Sequence, residues 1–107
     1  MEVAGLRGRL LPGAADGYKQ AHDEIPQALL EAQRAAGVRR WLIFSDGLDL
    51  FHVGECEHFD ESMRLLAGDP VDQAWQREMS RYKEPIGVSG NTERRMQLIY
   101  ERDLWLP

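Results

Sequence analysis

A strong hairpin signal in the middle of the chain constrains the fold more than any other feature. Residues 39–45 are rich in apolar and aromatic side chains, Asp46-Gly47 is a favoured turn dipeptide, and residues 48–56 return as a second strand. A two-residue turn would place Trp41 opposite His52, and a four-residue loop would shift the partners by two. Both turns put Trp41 and His52 on one face of the sheet. The opposite face, which we expect to lie under helices, carries Leu42, Phe44, Phe51 and Val53.

Further strand and helix patterns flank this hairpin. Residues 3–11 alternate with a period of two, which predicts a first strand. Pro26 divides the helical pattern of residues 14–36 and is expected at the first position of the second segment, which ends at Gly37. Later patterns predict a helix over residues 59–66, another from Asp69-Pro70, a loop over residues 85–91 and a last strand over residues 95–105. The order β-α-β-β-α-β predicts a ferredoxin-like α+β fold with an antiparallel sheet.

Length, charge and cysteine content exclude several classes of protein. A chain of 107 residues is long enough for one core, so we expect a single domain over residues 1–107. The net charge is −5 and no basic stripe is present, so we expect no nucleic-acid partner. No apolar run could span a membrane, and the first residues do not resemble a signal peptide. The single cysteine, Cys56, is expected as a small core residue and fits a cytoplasmic protein.

The segment from Asp16 to Ile25 holds the first candidate site. Tyr18 and His22 are four residues apart, so on a helix they share one face, which continues into Ile25. A phenol and an imidazole at the rim of a buried face can bind a hydroxylated ligand and move its protons. The alternative is that both side chains simply pack against the core.

Both faces of the predicted sheet are too apolar to remain open to water. The face of Trp41 also carries Ile43, Leu48 and Leu50. An exposed apolar area of that size normally finds a partner. We therefore expect a homodimer in which two sheets pack face to face and each subunit keeps one cavity.

Several segments together resemble the L-rhamnose mutarotase family of dimeric α+β barrels. In chain order they are Arg9-Leu-Leu-Pro-Gly13, Tyr18-x-x-x-His22-Asp-Glu-Ile25, Trp41-x-Ile43-Phe44-x-Asp46, Asp69-Pro70-Val71-x-Gln73-x-Trp75 and Leu104-Trp105-Leu106-Pro107. Each segment alone is a weak signal. Their order and separation across nearly the whole chain make the resemblance specific.

The resemblance implies a function and positions for its residues. Members of the family interconvert the anomers of a deoxy sugar such as L-rhamnose, with no metal or organic cofactor. The family's proton-donating histidine falls on His22, and its sugar-contacting tyrosine falls on Tyr18. Histidine suits proton transfer in both directions because its ordinary pKa is about 6.5. A second contacting aromatic residue, usually tyrosine, falls on Trp41.

This chain departs from the family pattern at three places near the implied pocket. Trp41 replaces the usual tyrosine, Trp75-Gln76 replaces a tryptophan pair, and Ile25-Pro26-Gln27 replaces Ile-Trp-Pro. The departures leave the sugar, and even the reaction, open. Alternative functions are another isomerase, a cyclase or a monooxygenase acting on a small metabolite in the same barrel, or a non-catalytic small-molecule binding module.

The remaining candidate residues each have two interpretations. Trp75 is either a core anchor or a sugar-binding aromatic residue. His52 is either an exposed strand residue or, because it shares a face with Trp41, a cavity residue that acts as a second acid/base or binds a hydroxyl. His58 is expected to cap a helix or face solvent. The three histidines are too scattered to predict a metal site.

Overall fold

The fold is an antiparallel sheet with helical connections, as described by a computed structural model for residues 1–85 and 94–105. In chain order the elements are β1 (Glu2–Arg9), α1 (Ala15–Asp23), α2 (Gln27–Ala35), β2 (Val38–Asp46), β3 (Asp49–Cys56), α3 (Phe59–Ala67), α4 (Pro70–Met79) and β4 (Arg94–Arg95). The strands form one four-stranded sheet in the order β2-β3-β1-β4. The predicted ferredoxin-like α+β fold is therefore confirmed.

Local sequence signals explain where the helices begin and end. Pro26 stands just before α2 in an extended conformation, with φ −60° and ψ 139°, so α2 begins at Gln27, one residue later than predicted. Gly37 follows α2 with φ +94°, a conformation that glycine adopts without strain. Asp69 caps α4, since its carboxylate accepts a hydrogen bond of 2.8 Å from the N–H of Val71.

The central hairpin has a two-residue turn one position later than the predicted Asp46-Gly47, and its strands adopt the pairing shifted by two. Asp46 pairs with Asp49, so Gly47 and Leu48 form the turn, and Ile43 rather than Trp41 lies opposite His52. Trp41 lies opposite Gly54, and a Cβ atom at Gly54 would collide with the indole ring. Trp41 and His52 still share one face of the sheet, as the pattern predicted.

The prediction of which sheet face the helices cover was wrong. On the covered face, Trp41, Ile43 and Leu50 pack with residues of the helices, and His52 is buried. Phe44, on the other face, is 56% exposed. Strand β1 provides the physical reason, because its covered face carries Leu6, opposite His52, whereas its open face carries Arg7, opposite Phe51. A charged side chain stays on the side that water reaches.

Two adjoining clusters of buried residues form the core between sheet and helices. One contains Ala4, Ala36, Val38, Cys56, Phe59 and Leu66. The other contains Leu10, Tyr18, Leu50 and Met79. Cys56 is fully buried, and this burial raises the pKa of its thiol, so its prediction as a core residue is confirmed.

The predicted last strand over residues 95–105 was wrong for most of its length. Arg94 and Arg95 pair with β1, and one more hydrogen bond of 2.7 Å joins the N–H of Met96 to the carbonyl of Gly5. Beyond that point Ile99 and Trp105 are almost fully exposed. An alternating apolar segment forms a strand only where another surface can bury one of its faces. The loop predicted over residues 85–91 lies, apart from Pro85, outside the described residues.

Within the described ranges, no helix is long and apolar enough to cross a membrane.

Candidate active site

Helix α1 brings Tyr18 and His22 together at the covered face of the sheet. Their ring centroids are 4.3 Å apart and the ring planes are tilted by 46°. Tyr18 is buried in the core cluster of Leu10 and Met79, whereas His22 is half-buried. Tyr18 therefore packs in the core, as the alternative interpretation predicted, and His22 lies at the rim of the same helix face.

A hydrogen bond to the backbone determines which nitrogen of His22 can exchange protons. Its Nδ1 lies 2.7 Å from the carbonyl oxygen of Tyr18, one turn earlier in the same helix. A carbonyl oxygen only accepts, so Nδ1 carries a hydrogen and donates it. Nε2 is then the nitrogen that gains or loses a proton. The bond to Tyr18 persists in both charge states, because Nδ1 carries its hydrogen in each.

Helix α4 adds Trp75 to this side of the site. The centroids of the His22 and Trp75 rings are 5.2 Å apart, and the planes meet edge to face at 82°. Trp75 also packs against the core cluster that contains Leu50 and Met79. Trp75 therefore anchors the helix and lies beside the candidate catalytic residue, and its role in sugar binding stays a prediction.

The sheet forms the opposite wall of the site. The indole Nε1 of Trp41 lies 3.1 Å from Nδ1 of His52, and the two ring centroids are 5.9 Å apart. His52 is only 5% exposed, so its interpretation as an exposed strand residue was wrong. Whether His52 carries protons stays a prediction.

One cavity of about 980 Å³ connects the two walls. Among its lining residues are all five predicted site residues, namely Tyr18, His22, Trp41, His52 and Trp75. A volume of this order is at the upper end for small-molecule sites and accommodates a monosaccharide. Trp41 and Gln76, two of the departures from the family pattern, also line the cavity. At the third departure, Ile25 lines the cavity and its neighbour Pro26 does not.

Asp72 is a cavity residue that the sequence patterns did not single out. It is buried on α4, and its carboxylate accepts a hydrogen bond of 3.5 Å from the amide of Gln76. The signal was present, because Asp72 precedes Trp75 by three residues and Gln76 by four, which places all three on one helix face.

The third histidine and the acidic residues do not add a metal centre. His58 is exposed at the start of α3 and makes no capping hydrogen bond with its side chain. Across residues 1–85 and 94–105, no three histidine, cysteine, aspartate or glutamate side chains converge as metal ligands would.

Comparison with known sequences identifies related proteins. A model of the family described as L-rhamnose mutarotase matches residues 4–102. An L-rhamnose mutarotase of Burkholderia ambifaria (strain MC40-6) is 38% identical over 77 residues, which cover 70% of this chain and 73% of that protein. One of Burkholderia orbicola (strain MC0-3) is 46% identical over 53 residues, half of each chain.

Solved structures show where the fold recurs. An L-rhamnose mutarotase from Formosa agariphila superposes with a TM-score of 0.81 at 18% identity, covering 96% of this chain and all of that one. Tetracenomycin F2 cyclase from Streptomyces glaucescens superposes with a TM-score of 0.72 at 20% identity, covering 96% and 98%. At such identities the likeness establishes the fold alone, whereas the family match rests on sequence along nearly the whole chain. The chain belongs to the L-rhamnose mutarotase family, and it is an isomerase that acts on carbohydrates.

Proposed function

We propose that this protein interconverts the α and β anomers of a deoxy sugar such as L-rhamnose, with His22 as the general acid/base. The observation that carries the proposal is the hydrogen bond between Nδ1 of His22 and the Tyr18 carbonyl. It holds one nitrogen of the ring and leaves Nε2 as the proton-exchanging atom, in a cavity large enough for a monosaccharide.

The reaction needs two proton transfers in each direction. Protonation of the ring oxygen and removal of the anomeric hydroxyl proton break the bond between C1 and the ring oxygen and give an open-chain aldehyde. Rotation about the bond from C1 to C2, followed by the reverse transfers, closes the ring as the other anomer. We assign the transfer at the ring oxygen to His22, because its Nε2 is the nitrogen that exchanges protons and the residue lines the cavity. Asp72 is a candidate for the other transfer because its carboxylate lines the same cavity.

The composition of the cavity wall suits a deoxy sugar. Tyr18, Trp41 and Trp75 offer aromatic surfaces, which pack against the C–H groups of a pyranose ring. Leu30, Met63 and Met79 add aliphatic surface to the same lining. A methyl group in place of a hydroxymethyl group loses no hydrogen bond against such a wall. We therefore assign Tyr18, Trp41 and Trp75 to substrate binding.

Saturation-transfer NMR on the anomeric protons tests the function directly. L-Rhamnose and a panel of other deoxy sugars are equilibrated with the protein, and exchange between the two anomeric signals is compared with a protein-free sample. We expect faster exchange for at least one sugar. Uncatalysed rates for every sugar in the panel would refute the proposal.

We also propose that the protein is a homodimer that pairs the open faces of two sheets. Leu42, Phe51 and Val53 are only half-buried on that face, and Phe44 is more than half exposed. A second copy would remove this apolar area from water. The activity is expected in the cytoplasm, where the free thiol of Cys56 stays reduced.

Sedimentation of the wild-type chain and of two variants tests the dimer. Phe44→Glu places a charge on the open face, and Leu65→Glu is the control because Leu65 is a comparably exposed apolar residue on α3. We expect a dimer for the wild type and for Leu65→Glu, and a 12.3 kDa monomer for Phe44→Glu. A monomeric wild type at micromolar concentration would contradict the proposal.

A further inference from the structure

The hydrogen bond between Trp41 and His52 has a direction that chemistry determines. The indole Nε1 carries a hydrogen and has no lone pair to offer, so it donates, and Nδ1 of His52 accepts at 3.1 Å. A neutral imidazole that accepts at Nδ1 carries its own hydrogen at Nε2. The pair therefore specifies one tautomer of His52.

The same bond opposes protonation of His52. The imidazolium form carries hydrogen on both nitrogens, so a proton at Nδ1 would confront the indole N–H with a second donor. Nε2 of His52 is also buried from solvent. His52 would have to lose its hydrogen bond at Nδ1 to gain a proton there, and solvent does not reach its Nε2. The residue is therefore poorly suited to carry protons to a sugar.

The sheet supplies the space that this pair needs. Trp41 lies opposite Gly54 and diagonal to His52, and the indole occupies the volume where a Cβ at position 54 would lie. His52 lies opposite Ile43 of β2 on one side and opposite Leu6 of β1 on the other, in the middle of the sheet. The imidazole thus lies on an interior strand, with its Nδ1 directed at the indole.

We propose that His52 is a positioning residue that holds Trp41, and that Trp41 is a specificity-determining residue for the reaction. Because the indole N–H is committed to His52, Trp41 presents its apolar ring surface to the cavity and no hydrogen-bond donor. The ligand group that fits there is a C–H or methyl surface of a sugar, not a hydroxyl. The identity of the ligand as a sugar rests on the proposed function. The hydrogen bond between Trp41 and His52 and the tautomer of His52 do not depend on that function.

NMR of the sugar-free protein tests the pair without any activity measurement. Nitrogen–proton correlation spectra of the imidazoles are expected to show His52 as the Nε2–H tautomer. The indole N–H of Trp41 is expected to exchange with water slowly, whereas that of Trp105, which is 95% exposed, exchanges fast and serves as the internal reference. An Nδ1–H tautomer, or equally fast exchange of the two indoles, would overturn the proposal.

The variant His52→Phe keeps a ring in the sheet but removes the acceptor. The indole N–H of Trp41 should then lose its slow exchange, and KM for the sugar should rise by about 3- to 10-fold while kcat changes less, as expected for one neutral hydrogen bond. His58→Phe is the matched control, because His58 is exposed and lies outside the cavity lining. A loss confined to kcat would instead make His52 a proton carrier and refute its role as a positioning residue.

A double-mutant cycle separates a coupled pair from two independent residues. The cycle combines Trp41→Tyr with His52→Ala and compares KM for the two single variants and the double variant. Residues that share a hydrogen bond give non-additive effects. We expect the double variant to bind sugar better than the sum of the single losses predicts. Additive losses would show that His52 does not act through Trp41. The tautomer spectra remain informative even where a variant fails to fold.

Discussion

The helix wall and the sheet wall of the cavity each hold a histidine, and the two differ in how one ring nitrogen is bonded. On α1, Nδ1 of His22 donates to a backbone carbonyl. On β3, Nδ1 of His52 accepts from the indole of Trp41. An acceptor as partner is compatible with both the neutral and the charged imidazole, whereas a donor as partner is compatible only with the neutral one.

Burial strengthens the same contrast. His22 is half-buried at the rim, and His52 is buried within the sheet. A catalytic acid/base must gain and lose protons during turnover, which suits His22. A residue that holds its neighbour must keep one state, which suits His52. Two residues of the same type can therefore suit different roles, depending on the hydrogen-bond partner of one ring nitrogen and on the depth of the side chain.

The largest expected effect comes from His22→Ala. Loss of the proton-exchanging group should slow anomer exchange by about 10²- to 10⁴-fold, the usual contribution of a general acid/base. Saturation-transfer NMR measures the rate, and circular dichroism checks that the fold is kept. His58→Ala is the control and should exchange anomers as fast as the wild type. Near wild-type exchange by His22→Ala would remove that residue from the mechanism.

The next prediction concerns stability, for which we expect replacement of His52 to have a larger effect than replacement of His22. His52→Ala empties a buried position and leaves the indole N–H of Trp41 without its acceptor, so the free energy of unfolding should fall by about 2–4 kcal/mol. His22→Ala, at the rim, should lower it by less than about 1 kcal/mol. Urea unfolding measures both. Equal losses would contradict the distinction between a positioning and a catalytic histidine.

Gly54→Ala tests the sheet wall without changing either histidine. The added Cβ would collide with the ring of Trp41, which must shift, and such overpacking costs about 1–3 kcal/mol of unfolding free energy. Gly68→Ala is the control, because a Cβ there meets its neighbours at ordinary contact distance. We expect the control to stay within about 0.5 kcal/mol of the wild type in urea unfolding. Similar curves for both variants would show that the indole has room to move.

The smallest expected effect is that of Tyr18→Phe on the helix wall. We expect the Tyr18 hydroxyl to bind a sugar oxygen, so KM should rise by about 2- to 10-fold, the contribution of one hydrogen bond, while kcat falls less. The ring itself, which contacts those of His22 and Tyr82, is kept. Steady-state anomer exchange at several sugar concentrations separates the two constants. A large fall in kcat at saturating sugar would make Tyr18 a proton carrier instead.

Much of the helix wall was predictable because its signals are local. The spacing of Tyr18 and His22 places both on one helix face, and Pro26 and Gly37 mark helix boundaries through their own backbone geometry. Asp72 was missed, although its spacing from Trp75 carried the same kind of signal.

Sequence alone also determined that Trp41 and His52 share a sheet face, because side chains alternate along every strand and either hairpin turn keeps that alternation. Only the tertiary structure decided that this face lies under the helices. Both faces of the hairpin are apolar, and the difference between them appears only when β1 pairs with β3 and sets Leu6 opposite His52 but Arg7 opposite Phe51. The tertiary structure also decided the hydrogen bond from Trp41 to His52, because the indole needs the space that Gly54 leaves on the opposite strand. The pairing of Trp41 with Gly54 depends on where the chain turns, and the pattern of a single strand does not determine it.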